Sequence, residues 1–187
     1  MSLIDDVVAA VSPTESQADR AEAREKARGV ASPGDWLDLV LQHHLQLEDA
    51  FEAARSAVDA EGSKAAQKQL GIILTGHAIA EESVIYPAMA EAGAKGHAGH
   101  GYDEQALVKR EMAALEKLEP MSQDYLEKLE SIREAVAHHM YEEEGTWFTD
   151  LKADAPEADQ AIITKRYKEE FDRYVGGGVG GGGAFRL

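Results

Sequence analysis

Residues 137–144 read AHHMYEEE and place a histidine four positions before a glutamate twice. Residues at this spacing lie one above the other on one face of an α-helix, so each pair can bind a metal ion. Five of the seven histidines have a glutamate at this offset, although glutamate makes up only 22 of the 187 residues and chance would give fewer than one such pair. The pairs are His44/Glu48, His77/Glu81, His100/Glu104, His138/Glu142 and His139/Glu143. They lie in four separate segments, as a four-helix bundle needs if it is to turn metal ligands into its core.

The composition argues against several classes of protein. The formal net charge of −16 disfavours binding to nucleic acid and to anionic membranes, because both are themselves negatively charged. Without cysteine the chain can form no disulfide, thiolate ligand or iron–sulfur cluster, so any metal must be bound by nitrogen and oxygen. The N-terminus is acidic where a signal peptide is basic, and no apolar run approaches the roughly 18 residues of a membrane span. We therefore expect a cytoplasmic protein.

The two ends of the chain differ in composition from its centre, which predicts four regions. Residues 1–34 read as a helical arm and residues 35–153 as a four-helix bundle. Residues 154–175 read as a helix packed against the bundle, and residues 176–187 as a flexible glycine-rich tail. The metal ligands are expected only in the bundle.

The N-terminal arm is predicted to contain two short helices. An apolar helix runs to about Val11, and a capping box that begins at Ser12 opens a second helix, which ends near Arg28. Because the second helix is rich in alanine and charge and has almost no large apolar residue, we expect it to lie loosely on the surface.

The central region carries four apolar stripes at helical spacing. They predict an all-α, up-down antiparallel four-helix bundle with extra helices at both ends, because the connections between the stripes are short. The first helix opens at Asp35 and the second near Ser63. A flexible glycine-rich connection over residues 93–101 precedes the third helix near Tyr102, and Ser122 opens the fourth. Histidines and glutamates occupy positions on these stripes that would otherwise hold apolar residues.

Carboxylates on an apolar stripe point to a bound cation. Burying a charged carboxylate costs several kcal/mol unless a cation compensates it, and no lysine or arginine lies on the stripes beside the pairs. Iron, manganese and zinc all accept imidazole and carboxylate ligands, so the spacing leaves the metal open, and several such groups could hold two ions. The Glu-x-x-His motif of ferritin-like proteins and the His-Glu-x-x-His motif of zinc proteases are both absent from the sequence.

With its glutamates after its histidines, the sequence resembles the hemerythrin family, in particular the bacterial hemerythrin-like HHE domains, over roughly residues 36–153. The helices of that family carry a lone histidine, then His-x-x-x-Glu, then a histidine, then His-x-x-x-Glu. The resemblance implies that His44 is the ligand of the first helix, His77 and Glu81 those of the second, and His139 and Glu143 those of the fourth. It also implies two non-haem irons, bridged by carboxylates and by an oxo or hydroxo group.

The choice of His139 over the adjacent His138 rests on an aromatic residue further along the helix. Phe148 stands nine positions after His139, just as Tyr86 stands nine positions after His77. The two matching segments are long and specific, and they carry most of the resemblance.

The third helix departs from the family pattern at Gln105, where the family usually has a histidine. We expect Glu104 on the same face to take the vacant position, ahead of Tyr102 and His100 at the start of the helix. A carboxylate there would disfavour the ferrous state. We therefore expect reaction with peroxide or oxygen in preference to reversible oxygen binding.

Three hypotheses for the function follow. The first is a non-haem di-iron protein that binds or reacts with oxygen, peroxide or nitric oxide. The second is iron storage, buffering or metal sensing without turnover, and the third is a metal-free helical interaction module. Under the first hypothesis the partner is a small diatomic or peroxide ligand, with neither nucleic acid nor membrane involved.

Overall fold

The structure, a computed structural model, describes residues 15–178 and contains six helices and no strand in that range. The helices are α1 (Gln17–Val30), α2 (Trp36–Arg55), α3 (residues 60–91), α4 (Lys95–Leu115), α5 (residues 123–154) and α6 (Glu157–Gly178). The predicted all-α bundle with additional helices at both ends is confirmed. The apolar helix predicted up to Val11, and the tail beyond residue 178, lie outside the described residues.

Helices α3 and α5 share an irregularity. Each is interrupted by one π-helical stretch, Glu81–Ile85 in α3 and Glu143–Trp147 in α5. A π-helical turn contains more residues than an α-helical turn and is frequently found at functional sites. Both stretches begin at the glutamate of a His-x-x-x-Glu pair.

The apolar core is divided into two clusters with a polar layer between them. One cluster is built around Trp36, Tyr86 and Phe148, and the other around Leu47 and Ile132. On each of the four central helices, the polar layer lies between a residue of one cluster and a residue of the other. Its buried members are His44 on α2, His77 and Glu81 on α3, Gln105 on α4, and His139 and Glu143 on α5.

Side-chain caps explain where several helices begin. Asp35 caps α2 and Ser122 caps α5, as predicted. Helix α1 is capped by Ser16, which forms a capping box with Asp19, whereas the predicted cap at Ser12 lies outside the described residues. Helix α3 begins at Ala60, earlier than the predicted start near Ser63, because Asp59 is its cap.

The glycine-rich connection predicted over residues 93–101 is largely helical. Helix α4 begins at Lys95 instead of near Tyr102. Ala98 in this segment is buried, and Gly101 lies directly against the ring of Tyr86. Tertiary packing therefore outweighs the low helix propensity of glycine here.

The two terminal helices pack on the bundle. Helix α6 buries Ile163, Tyr167 and Phe171, and it extends to Gly178, beyond the predicted end at residue 175. The expectation that α1 lies loosely on the surface is wrong, because Ala23 and Ala27 are buried. Between residues 15 and 178, no helix has both the length and the apolar character to cross a membrane.

Candidate metal centre

Four buried side chains from three helices meet in the polar layer. They are His44 from α2, His77 and Glu81 from α3, and Glu143 from α5, and one ligand atom of each lies within 4.8 Å of those of the others. The spacing of four residues within one helix turns His77 and Glu81 to the same side. The structure thus brings together four of the six residues predicted to bind metal.

The atoms that face each other in this cluster have no hydrogen-bond partner. They are Nε2 of His44, Nε2 of His77, Oε1 of Glu81 and Oε2 of Glu143. Nε2 of His44 is 3.4 Å from Oε2 of Glu143, and Nε2 of His77 is 3.3 Å from Oε1 of Glu81. Buried polar atoms are almost always satisfied, so four unsatisfied atoms facing one point require an explanation. A cation bound between them would satisfy all four.

The electrostatics of the two carboxyl groups support the same explanation. Burial, together with the negative charge of Glu143, holds the pKa of Glu81 well above its usual range. Burial also acts to raise the pKa of Glu143, but the neighbouring His139 and His44 outweigh it and lower that pKa. Without a metal the two buried carboxyl groups cannot both stay charged at low cost, and a cation removes that conflict.

The imidazoles of His44 and His77 are fixed in orientation through their other ring nitrogens. Nδ1 of His44 lies 2.7 Å from Oε1 of Glu144. Arg24 of α1 donates to the same oxygen from two guanidinium nitrogens, at 3.0 and 2.9 Å. Nδ1 of His77 lies 3.2 Å from the hydroxyl of Tyr167 on α6. Such contacts hold a metal-binding imidazole in place and select its tautomer. Burial lowers the pKa of His44, but the adjacent Glu143 and Glu144 carboxylates raise it to about 9.

Sequence reasoning missed the role of these supporting residues. Arg24 and Tyr167 lie far from the histidines in the chain, and no spacing rule connects them to the site. Arg24 is one of three arginines on α1 and Tyr167 is one of two tyrosines on the stripe of α6, so neither stands out in the sequence.

On the other side of Glu81 and Glu143, the remaining oxygen of each carboxylate is hydrogen-bonded. Nε2 of His139 lies 3.1 Å from Oε1 of Glu143 and 3.0 Å from the hydroxyl of Tyr86. The side-chain amide of Gln105 donates to Oε2 of Glu81 at 2.6 Å and to the hydroxyl of Tyr86 at 2.7 Å. His139 therefore lies in the polar layer but outside the four-residue cluster.

The three residues considered as replacements at the third-helix position all lie outside that cluster. Oε2 of Glu104 is 2.8 Å from Nδ1 of His139, on the side of the ring away from Glu143. The hydroxyl of Tyr102 donates to the backbone carbonyl of Glu82, and His100 is more than half exposed. Gln105 itself is the residue of α4 that reaches Glu81.

The donor set fits a first-row transition metal. Two imidazole nitrogens and two carboxylates suit iron, manganese or zinc, and the absence of thiolates disfavours a soft metal. The four unsatisfied atoms would provide the ligands, and Glu144 and Tyr167 hydrogen-bond to the opposite nitrogens of the two imidazoles. These residues therefore fit a single bound cation.

Comparisons with known proteins agree with this reading. Residues 35–158 match the family described as the hemerythrin HHE cation binding domain. A DNA nickase of Nostoc sp. (strain PCC 7120 / SAG 25.82 / UTEX 2576) is 25% identical over 149 residues, which cover 78% of this chain and 42% of that relative. The chain thus spans less than half the length of this curated relative. No solved structure matches the chain. With a family match over most of its length and a buried histidine–glutamate cluster at its centre, this chain belongs to the hemerythrin HHE cation-binding domain family.

Proposed function

We propose that this protein is a non-haem iron protein that binds or reacts with oxygen, peroxide or nitric oxide. The observation that carries the proposal is the convergence of four unsatisfied nitrogen and oxygen atoms, from His44, His77, Glu81 and Glu143, in a buried layer. The set combines imidazole nitrogens with carboxylate oxygens, which suits an ion that changes between ferrous and ferric states. When bound, iron would supply the redox chemistry.

The residues of the chain contribute binding, orientation and exclusion of water. Glu144 lies against Nδ1 of His44, and Tyr167 lies against Nδ1 of His77. These contacts turn Nε2 of each imidazole toward the proposed ion. The apolar clusters above and below the polar layer exclude water from it. The Tyr86 hydroxyl, hydrogen-bonded to Oε1 of Glu143 at 3.0 Å, holds a proton beside that carboxylate.

The test is iron binding followed by challenge with small ligands. The metal-free protein is supplied with ferrous iron without oxygen, desalted, and analysed for bound iron by elemental analysis. Peroxide, oxygen or nitric oxide is then added while the absorption spectrum is recorded. We expect retained iron and a ligand-dependent spectral change. The zinc-loaded protein is the control and should show no such change.

The other hypotheses differ in the outcome of the same measurement. Storage or buffering would show many irons per chain, or iron without a spectral response to any of the three ligands. A metal-free interaction module would retain no iron at all. The unsatisfied buried atoms of the cluster argue against that last hypothesis, because nothing else in residues 15–178 satisfies them.

The likeness to a DNA nickase suggests a second candidate activity. The identity is low and the relative is more than twice as long as the matched region, so its activity is only a proposal for this chain. The net charge of −16 opposes binding to DNA, and we expect no nicking. Incubation of the iron-loaded protein with supercoiled plasmid, beside the His77→Ala variant, tests this. Open circular product that requires His77 would establish the activity.

A further inference from the structure

We infer that the protein binds one ion per chain, on the side of Glu81 and Glu143 that faces His44 and His77, because Tyr86 and Gln105 close the opposite side. The inference rests on the iron binding proposed above. It concerns the second ion that the family resemblance implies.

The carboxylate oxygens divide into two sets. Oε1 of Glu81 and Oε2 of Glu143 are unsatisfied and face the two imidazoles. Oε2 of Glu81 accepts a hydrogen bond from Gln105 at 2.6 Å and lies 3.4 Å from the Tyr86 hydroxyl, and Oε1 of Glu143 accepts from that hydroxyl at 3.0 Å. Two ions bridged by these carboxylates would need both sets of oxygens. Only one set is free to bind.

Tyr86 is held in this position by the packing of α4. Its side chain is fully buried, and a Cβ atom built on Gly101 would lie 2.8 Å from its Cζ and 3.0 Å from its hydroxyl oxygen. The ring of Tyr102 meets it edge-on at 5.1 Å. The tyrosine ring thus fills the space that a side chain on α4 would take, so its hydroxyl cannot leave the layer without a shift of that helix.

Gln105 is held with its amino group toward the carboxylate. Its Nε2 donates to Oε2 of Glu81 and to the Tyr86 hydroxyl, while its Oε1 is buried without a partner. Rotation of the amide by half a turn would place Oε1 against the carboxylate oxygen and break both hydrogen bonds. Gln105 could bind a second ion only through its amide oxygen, but these hydrogen bonds hold its amino group toward the carboxylate instead.

The charges of the buried groups also favour one ion. A single divalent ion balances the two carboxylates of Glu81 and Glu143. On the opposite side, the groups that meet the carboxylates are a phenol, an amide and an imidazole, none of which adds a negative charge to balance a second ion. An uncompensated charge in this buried layer would be costly.

The decisive measurement is the number of irons per chain of the wild-type protein. We expect about one after ferrous iron is added in excess and the protein is desalted. After oxidation, the electron paramagnetic resonance spectrum should show the signal of an isolated high-spin ferric ion, which a coupled ferric pair lacks. Two irons per chain with a coupled spectrum would overturn the inference and leave the proposed function standing. No retained iron would overturn both.

A double variant tests which residues close the second side. Gln105→His with Tyr86→Phe provides an imidazole and removes the hydroxyl, and we expect the iron count to rise to about two per chain. The matched control is Gln67→His with Tyr125→Phe, which changes a buried glutamine and a buried tyrosine outside the layer and should leave the count unchanged. A folded double variant that still holds one iron would refute the assignment of Tyr86 and Gln105.

Discussion

The two His-x-x-x-Glu segments of this protein share a sequence pattern but differ in what their side chains contact. In both, the glutamate is fully buried and opens a π-helical stretch, and an aromatic residue follows nine positions after the histidine. Nε2 of His77 in the first segment is unsatisfied. Nε2 of His139 in the second faces the Tyr86 hydroxyl, and its Nδ1 faces Glu104.

The ninth-position aromatic residue accounts for much of this difference. Tyr86 carries a hydroxyl into the polar layer, whereas Phe148 packs edge-on against Trp36 with ring centroids 5.8 Å apart and brings no polar atom. The first segment therefore supplies both His77, whose Nε2 is free, and the Tyr86 hydroxyl, which lies against Nε2 of His139 in the second segment. A repeated motif alone does not establish two equivalent binding positions.

The largest expected effect separates the two histidines directly. His77→Ala should lose nearly all bound iron, because it removes a ligand and leaves two buried carboxylates with less compensation. His139→Gln should retain most of its iron, because the amide can still hydrogen-bond near Glu143. Elemental analysis of both desalted proteins checks this. Equal loss in the two variants would show that the segments are equivalent after all.

Two glycine variants in α4 test whether Tyr86 is as tightly held as its contacts indicate. Gly101→Ala should lower the free energy of unfolding by about 1–3 kcal/mol, because the new Cβ collides with the Tyr86 ring. Gly99→Ala, where nothing lies within 4 Å, should raise it, by about 0.5–1 kcal/mol, because alanine favours the helix. Urea denaturation measures both. Similar effects of the two substitutions would mean that the tyrosine can move aside.

The residues that follow the two glutamates form a second contrast. Glu144 is buried between Arg24 and His44, whereas Glu82 is partly exposed and pairs with Lys109. Arg24→Ala should weaken iron binding about tenfold, because Glu144 then holds His44 less firmly. Arg28→Ala, which breaks an exposed pair with Glu25 on the same helix, is the control and should leave the affinity unchanged. Competition with a chelator measures the affinities.

The smallest expected effect is at the Glu82 pair. Lys109→Gln should change the free energy of unfolding by about 0.5 kcal/mol or less, since both side chains are partly exposed and solvent weakens their attraction. Iron content should stay at the wild-type value. A loss of iron in this variant would show that Glu82 supports Glu81 in the way that Glu144 supports His44.

Local rules were sufficient for the parts of the molecule that depend on near neighbours in sequence. The caps at Asp35 and Ser122, and the helical spacing that turns His77 and Glu81 to one side, depend on residues three or four positions apart. The helical start of α4 was not predicted, because glycine disfavours a helix locally, and the packing of Gly101 against Tyr86 is a contact between distant residues.

The remaining parts of the site depend on contacts between distant residues. Gln105 was recognised as a departure from the family pattern, but its role as a donor to Glu81 depends on where Tyr86 lies. The contact of Arg24 with Glu144 joins residues 120 positions apart, and no periodicity in the sequence relates them. The six ligands predicted from the sequence, Glu104 and His139 among them, stay predictions until iron is bound and counted.

The contact between Arg24 and Glu144 has a consequence for how the centre communicates with the rest of the chain. Arg24 lies on α1, before the region of residues 35–158 that matches the family, yet it orients His44 through Glu144. Because binding equilibria are reciprocal, any factor by which the docked α1 strengthens iron binding is also the factor by which iron strengthens the docking of α1. A ligand that pulled this helix away would loosen the ion, and loss of the ion would release the helix. The helix in front of the family domain thus connects the occupancy of the buried centre to the protein surface.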